Sequence, residues 1–337
     1  MHRKLTALAV AGAAIIALTA CNPQGGAQPG ATDTGAAAAP KSVQIIVPAD
    51  PGGGWDQTGR AISDVTVSEK LLSSAPVSNV GGAGGTVGLA SLANERDPNT
   101  LMVTGLVMVG AVETNAAQTR IEDTTPIARL TEEPLVVVVP ASSPYKTLDD
   151  LVSDIVARGQ DVTVTGGSAG GADHILAGLL LEAAGVAGAD IPTTLNYVPN
   201  AGGGEAVSLL LGNNANAGIS GVGEFAAYVD SGELRALAVS SDKPAALLPD
   251  VPTMTDEGFD IVYTNWRGLL APGGISDGEK QALVDLVTKL HDSAAWTSTL
   301  EEKGWSDAFL TGDKFSTFLD TNITDVTKTL KNIGLIS

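Results

Sequence analysis

Glycine-rich segments of one pattern recur along the chain, and they constrain the fold more than any other feature. Each follows a short apolar run that predicts a strand, and each precedes apolar residues at helical spacing. The first is PADPGGGWDQTGRA (residues 48–61) after the run VQIIV. The others are NVGGAGGTVGLA (79–90), TVTGGSAGGADHILAGLLL (163–181) and YVPNAGGGEAVSLLL (197–211). The chain therefore repeats a unit of strand, glycine loop and helix, which is typical of α/β proteins.

Each glycine loop is expected to present free backbone N–H groups at the start of a helix. These groups and the positive end of the helix dipole together form a site for anions. The alternative is that the loops are tight turns with no ligand. Residues 53–56 (GGWD) match residues 170–173 (GGAD), which indicates two similar α/β domains facing one cleft and favours binding.

The N-terminal segment has the pattern of a secretory signal, because two basic residues precede the apolar run of residues 5–18. The sequence LTAC at residues 18–21 resembles the bacterial lipobox. It predicts removal of the signal peptide (residues 1–20), a lipid anchor on Cys21 and an extracytoplasmic protein held at the cell membrane. The alternative is an ordinary secreted protein. Cys21 is the only cysteine, so no intramolecular disulfide and no cysteine metal cluster are expected. Residues 21–41, rich in Gly, Ala and Pro, predict a flexible tether.

The formal net charge of the chain is −19. Such acidity argues against nucleic acid or an anionic lipid surface as a partner. The negative charge also repels an anionic ligand at long range. Attraction by local N–H groups must therefore exceed this repulsion at short range, and salt screens the rest of the field. The alternative is that the acidity only keeps an exported protein soluble.

The remaining pattern alternates strands and helices, which favours parallel sheets with helices on both faces. An amphipathic helix with Thr147 as its N-cap follows a predicted crossover at residues 141–144. A Pro-rich second crossover is predicted at residues 248–258, and two crossovers would make a hinge. The predicted domains are residues 42–141 with 255–337, and residues 142–254. The predicted closing helices are residues 277–291, 294–303 and 314–331.

An enzyme is the second class of function that the residues allow. Residues 166–170 (GGSAG) match the nucleophile motif G-x-S-x-G between a predicted strand and a predicted helix, so that a secreted serine hydrolase could use Ser168 with His291. The structural alternative, which we favour, is a Gly/Ser loop at a helix N-terminus. No P-loop, dinucleotide fingerprint or metal-ligand spacing is found, so neither a cofactor nor a metal is expected.

Trp55 and Arg267 are further candidates that the sequence leaves open. Trp55 lies inside the first glycine loop and would either wall the cleft or pack the loop against the core. Arg267 would either pair with a ligand carboxylate or with one of the many acidic side chains, and we favour the acidic side chain.

Taken together, PADPGGGWDQTGRA, NVGGAGGTVGLA, TGGSAGGADHILA, LRALAVSS followed by LPDVPT, and TNWRGLLAPGG resemble the solute-binding subunit of tripartite tricarboxylate transporters. The resemblance runs from about residue 43 to the C-terminus. It implies a type II-like periplasmic-binding-protein fold: two doubly wound α/β domains joined by two crossovers, with a ligand cleft between them. It also implies a small organic carboxylate ligand, such as citrate or a dicarboxylate, that is delivered to two membrane subunits. A monomer without enzymatic activity is expected.

The resemblance also implies which residues contact the ligand. In the first domain they are Gly52, Gly53, Gly54, Asp56, Gly82, Ala83, Gly84 and Gly85. In the second domain they are Ser168, Asn200, Ala201 and Gly202. Because the glycine loops contain no Lys or Arg, we expect neutral backbone donors to hold the carboxylate. A side chain at Gly84 is expected to block the anion while leaving the fold intact.

Overall fold

The strand–loop–helix units predicted from the glycine pattern are present in the computed structural model, which describes residues 37–200 and 203–337. Cys21, the predicted signal peptide, most of the tether, Ala201 and Gly202 lie outside the described residues. The strands are β1 (Gln44–Val47), β2 (Val77–Asn79), β3 (Thr100–Gly105), β4 (Thr125–Pro140), β5 (Thr163–Gly166), β6 (Asn196–Pro199), β7 (Ala217–Gly221), β8 (Leu234–Val239), β9 (Thr264–Ala271) and β10 (Ser306–Thr311). The helices are α1 (Gly54–Ser68), α2 (Thr86–Asn94), α3 (Leu106–Thr114), α4 (Leu148–Arg158), α5 (Ala172–Ala183), α6 (Ile191–Thr194), α7 (Gly203–Leu211), α8 (Val222–Asp230), α9 (Asp277–His291), α10 (Ala294–Lys303) and α11 (Gly312–Asn332).

The strands form one mixed sheet in the order β2-β1-β3-β9-β4-β7-β5-β6, with β8 and β10 also paired to β4. Strands β1, β2, β5 and β6 lead into the glycine loops. Strand β1 is parallel to β2 and β3, and strand β5 is parallel to β6 and β7. In contrast, β9 is antiparallel to β3 and β4, and β4 is antiparallel to β7, β8 and β10. The expectation of wholly parallel sheets is therefore wrong, because β4 and β9 run against their neighbours at the centre of the sheet.

The long strand β4 belongs to both halves of the sheet. Its residues 125–134 pair with β9, and its residues 135–140 pair with β7 and β8. The described residues from 37 onward form a single compact unit. The division into residues 42–141 with 255–337 and residues 142–254 stays a prediction.

Alternating side chains of β4 supply two hydrophobic cores. Val137 and Val139 pack in the larger core, whereas Val136 and Val138 pack in a smaller core with Phe225. Successive side chains of a strand point to opposite faces, so an unbroken valine run serves both cores. Each of these four valines is fully buried, which stabilises the fold by roughly 1.5–3 kcal/mol per side chain.

Capping residues set several helix boundaries as predicted. The Thr147 hydroxyl oxygen accepts a hydrogen bond from the Asp150 N–H at 3.1 Å, which confirms the N-cap of α4. The predicted bounds of α9 and α10 are confirmed, and α11 begins two residues earlier than predicted. Strand β10 was not predicted, because its side chains are only partly buried and show no apolar run. Within the described part of the chain, no helix has both the length and the apolar character needed to cross a membrane.

Candidate functional site

The four glycine loops meet at one cavity of about 360 Å³. Their lining residues are Gly53 and Gly54 from the first loop, Gly82, Ala83, Gly84 and Gly85 from the second, Gly167, Ser168 and Ala169 from the third, and Pro199 and Asn200 from the fourth. Other lining residues include Trp55, Asn115, Asp173, Glu205, Ser220, Glu224, Asn265 and Arg267. The loops meet because the carboxyl ends of β1 and β3 and those of β5 and β7 face each other from opposite sides near the middle of β4.

Some backbone N–H groups of the loops donate hydrogen bonds within the protein, and others do not. The Gly54 N–H donates to the Glu224 carboxylate at 3.2 Å, and the Gly85 N–H donates to the Gly82 carbonyl at 3.0 Å. Within residues 37–200 and 203–337, no hydrogen-bond acceptor is found for the N–H groups of Gly53, Gly82 and Ala83. These three N–H groups therefore remain available for a ligand.

Two of the predicted ligand contacts, Gly52 and Asp56, do not line the cavity. Asp56 is buried beneath the first loop, where it accepts hydrogen bonds from the Gly52 N–H at 3.0 Å, from Arg60 Nε at 2.9 Å and from Asn79 Nδ2 at 3.0 Å. Burial raises the pKa of Asp56, but these hydrogen bonds prevail and hold it below its usual value. Asp56 therefore fixes the shape of the loop from below.

Asp173 has the matching position in the third loop, which explains why GGWD and GGAD agree in sequence. Its carboxylate accepts a hydrogen bond from the Gly167 N–H at 2.6 Å, and unlike Asp56 it lines the cavity. Burial raises the pKa of Asp173 to about 7, with further contributions from the nearby carboxyl groups of Glu224 and Glu133.

The third and fourth loops are held together by Asn200. Its side-chain N–H₂ group donates to Thr165 Oγ1 at 2.7 Å and to the Gly166 carbonyl at 2.8 Å. The predicted ligand contact Asn200 therefore lines the cavity with its donors already used. Ser168 is partly buried and lies opposite the second loop, since a Cβ atom at Gly84 would be 3.4 Å from the Ser168 Cβ atom.

Gly84 is required by the backbone as well as by the cavity. Its φ of +63° lies in the left-handed region, and a Cβ atom there would be 2.5 Å from the Ala111 Cβ atom. The expectation that a side chain at Gly84 would leave the fold intact is therefore wrong, because it would strain the loop and collide with α3.

Trp55 fills both roles that the sequence left open. The side chain is 8% exposed and lines the cavity. A Cβ atom at Gly85 would be 2.8 Å from the Trp55 ring, so the indole packs directly against the second glycine loop.

Charged side chains lie at the base of the cavity, next to the first loop. Arg267 forms an ion pair with Glu133, and both side chains are 2% exposed, which confirms the predicted pairing of Arg267 with an acidic side chain. A Cβ atom at Gly54 would lie within 3 Å of the guanidinium group and 3.1 Å from Glu224 Oε1, so only glycine fits there. The indole face of Trp305 lies 5.6 Å from the guanidinium carbon.

Glu133, Glu224 and Asn265 were not predicted as site residues from the sequence. They come from β4, α8 and β9, which are far apart in the chain, and only the antiparallel pairings of β4 bring them together. The sole local signal was the unusual Arg267, in the middle of an apolar strand.

A hydrolytic centre is not assembled at Ser168. His291 contacts Asp292 and Asp307, and the histidine and both acids are absent from the cavity lining. The Nδ1 atom of His174 accepts a hydrogen bond from the Gly170 N–H at 3.1 Å. Burial lowers the pKa of His174 to about 4. The described residues also contain no group of three His, Cys, Asp or Glu side chains that could hold a metal ion.

Comparison with known proteins gives a family for this fold and cavity. The family described as the tripartite tricarboxylate transporter family receptor matches residues 60–335. A protein of Agrobacterium vitis from the TAR-I ttuE-ttuC' intergenic region is 33% identical over 236 residues, which span 68% of this chain but only 65% of that protein. Protein BugT of Bordetella pertussis is 30% identical over 244 residues, 69% of this chain and 71% of BugT.

Solved structures share the fold. The periplasmic binding protein BugD matches with a TM-score of 0.76 and 21% identity, covering 88% of this chain and 98% of BugD. MatC of Rhodopseudomonas palustris, solved with bound malate, matches with a TM-score of 0.74 and 22% identity, covering 86% of this chain and 98% of MatC. The fold is thus the α/β fold of periplasmic binding proteins, and the match over residues 60–335 shows that the chain belongs to the tripartite tricarboxylate transporter receptor family.

Proposed function

We propose that the protein is an extracytoplasmic receptor that captures a small organic carboxylate and delivers it to the membrane subunits of a tripartite tricarboxylate transporter. The observation that carries this proposal is the cavity at which four glycine loops meet. Its volume of about 360 Å³ suits a small metabolite, since ligand pockets begin near 300 Å³.

Backbone donors can supply the binding energy. The unused N–H groups of Gly53, Gly82 and Ala83 lie near the starts of α1 and α2, whose dipoles favour an anion. Hydrogen bonds to a charged group contribute roughly 1.5–3 kcal/mol each, and each exposed helix dipole about 0.3–1 kcal/mol. Three such bonds and two dipoles approach the −8 kcal/mol or so of micromolar binding.

We infer a dicarboxylate or tricarboxylate ligand, because the family is named for tricarboxylates and MatC binds malate. We expect malate or citrate to raise the melting temperature of the purified protein, since a ligand that binds only the native state stabilises it. Thermal unfolding with malate, citrate, acetate and neutral glycerol measures this. If no acid shifts the transition at millimolar concentration, the proposed function is wrong. Turnover of a neutral ester by wild type and its loss in Ser168→Ala would instead establish the hydrolase.

We further propose that a lipid on Cys21 holds the receptor beside its membrane subunits. Support comes from the LTAC sequence, which places the only thiol at the predicted cleavage point. We expect Cys21→Ser to move the protein into the soluble fraction and to lower cellular uptake of the transported acid. Fractionation, intact-mass analysis and an uptake assay measure this. A wild-type protein with an unmodified thiol would rule out the anchor.

A further inference from the structure

Glu224 contacts the first glycine loop at the position expected for a ligand anion. Its Oε1 atom accepts the Gly54 N–H at 3.2 Å, at the start of α1, although Glu224 lies 170 residues further along the chain. The side chain lines the cavity and remains partly exposed. The Glu224 carboxylate thus accepts the Gly54 N–H, a donor that we had predicted to contact a ligand carboxylate.

Several charged groups surround Glu224, and most of them are acidic. Glu133 on β4 and Arg267 on β9 form the buried ion pair beside it. The Glu224 charge in turn contributes to the raised pKa of Asp173 on α5. Ser220 on β7 contributes a hydroxyl hydrogen bond, and Glu205 on α7 lines the same cavity. Glu133, Asp173 and Glu224 therefore share one guanidinium group, and a further anion in the cavity would be repelled if all three were ionised.

Unused polar atoms at the same place indicate that a ligand group belongs there. Arg267 is 2% exposed and lines the cavity, yet its Nε and Nη1 atoms have no hydrogen-bond partner among the residues that the structure describes. The Oδ1 atom of Asn265, which is 6% exposed and also lines the cavity, has no partner among these residues either. Leaving such buried groups unsatisfied costs about 1–3 kcal/mol each, and more for a charged group.

We propose that Glu224 occupies the anion position of the first glycine loop, and that the ligand carboxylate is accepted beside it only when Glu224 carries a proton. The protonated acid then donates its O–H to the ligand carboxylate. At alkaline pH the receptor therefore takes up one proton with each acid that it captures. This inference rests on the proposed function, since it concerns how the same cavity accepts a carboxylate.

The ionisation of Glu224 agrees with this geometry. Burial, together with the Glu133 charge, raises the pKa of Glu224 to about 7. Below pH 7 the proton is already present and affinity should not depend on pH. Above pH 7 the proton must be taken from solution, so affinity should fall as pH rises. For one proton and a pKa of about 7, binding at pH 8 is about tenfold weaker than at pH 6.

Calorimetry with malate or citrate, whichever binds more tightly, tests the proposal. At pH 8, titrations in buffers of different ionisation enthalpy should show an uptake of about 0.9 proton per ligand, against about 0.1 at pH 6. Glu224→Gln keeps an acceptor for Gly54 and supplies a neutral donor. We expect this variant to bind at pH 8 about as tightly as wild type binds at pH 6, without proton uptake.

Glu205→Gln is the matched control, because it removes the same charge from the same cavity. It should keep the wild-type proton uptake and pH dependence. The proposal is overturned if Glu224→Gln retains the proton uptake, or if Asp173→Asn alone abolishes it. It is also overturned if wild type binds the acid equally well at pH 6 and pH 8. An absence of binding at every pH would instead reject the proposed function itself.

Discussion

Replacing Arg267 by alanine is expected to destabilise the folded protein by about 3–5 kcal/mol. The substitution leaves the Glu133 carboxylate buried without its cation, in a region where Asp173 and Glu224 add further acidic groups. A lone buried charge costs far more than the ion pair gains. Urea denaturation followed by circular dichroism, compared between variant and wild type, measures the change in the free energy of unfolding.

Arg60→Ala is the matched control for this loss. Arg60 also pairs with a buried aspartate, Asp56, but its own side chain is half exposed, and Asp56 keeps Gly52 and Asn79 as donors. We expect a cost of at most about 1 kcal/mol there. If Arg267→Ala were no more destabilising than Arg60→Ala, the buried ion pair would not hold the base of the cavity together. The double variant Arg267→Met with Glu133→Gln should cost less than Arg267→Ala, because no charge is left unpaired.

A neutral diamide analogue is expected to bind at least about 100-fold less tightly than the acid itself. Charge-assisted hydrogen bonds are roughly twice as strong as neutral ones, so two weakened backbone contacts and a lost dipole interaction together cost about 2.7 kcal/mol. The N–H groups of Gly53, Gly82 and Ala83 are the available donors, and the lower limit of about 100-fold assumes that two of them contact the carboxylate. Calorimetric titration of malate and malamide at pH 6 measures the ratio.

Succinate is the control ligand, because it keeps both carboxylates of malate and lacks only the hydroxyl group. It should lose less affinity than the diamide. Equal binding of malate and malamide would mean that the cavity recognises shape and neutral hydrogen bonds, and the assignment of the glycine loops to anion binding would then have to be abandoned.

The sequence alone determined the repeating unit of the fold and the place of the cavity. A β-branched run followed by several glycines and an apolar helical pattern allows few local structures, so β1, α1, β5 and α5 could be predicted. Parallel strands open their loops at one edge, so the two glycine loops of each half could be expected to lie together. The match of residues 53–56 with residues 170–173 predicted that the two halves face one cleft. Capping residues such as Thr147 act within one turn of helix, so the start of α4 could also be predicted from the sequence.

Only the tertiary structure decided which groups fill that cavity. The central antiparallel pairings of β4 join segments that are remote in sequence, and they place Glu133, Arg267 and Glu224 around the amide of Gly54. Local sequence patterns do not predict such contacts. A charged residue gives the same pattern whether it is exposed to solvent or paired with a side chain 134 residues away. The charge of the binding site, and the acid that competes for its first loop, are therefore properties of the packed chain.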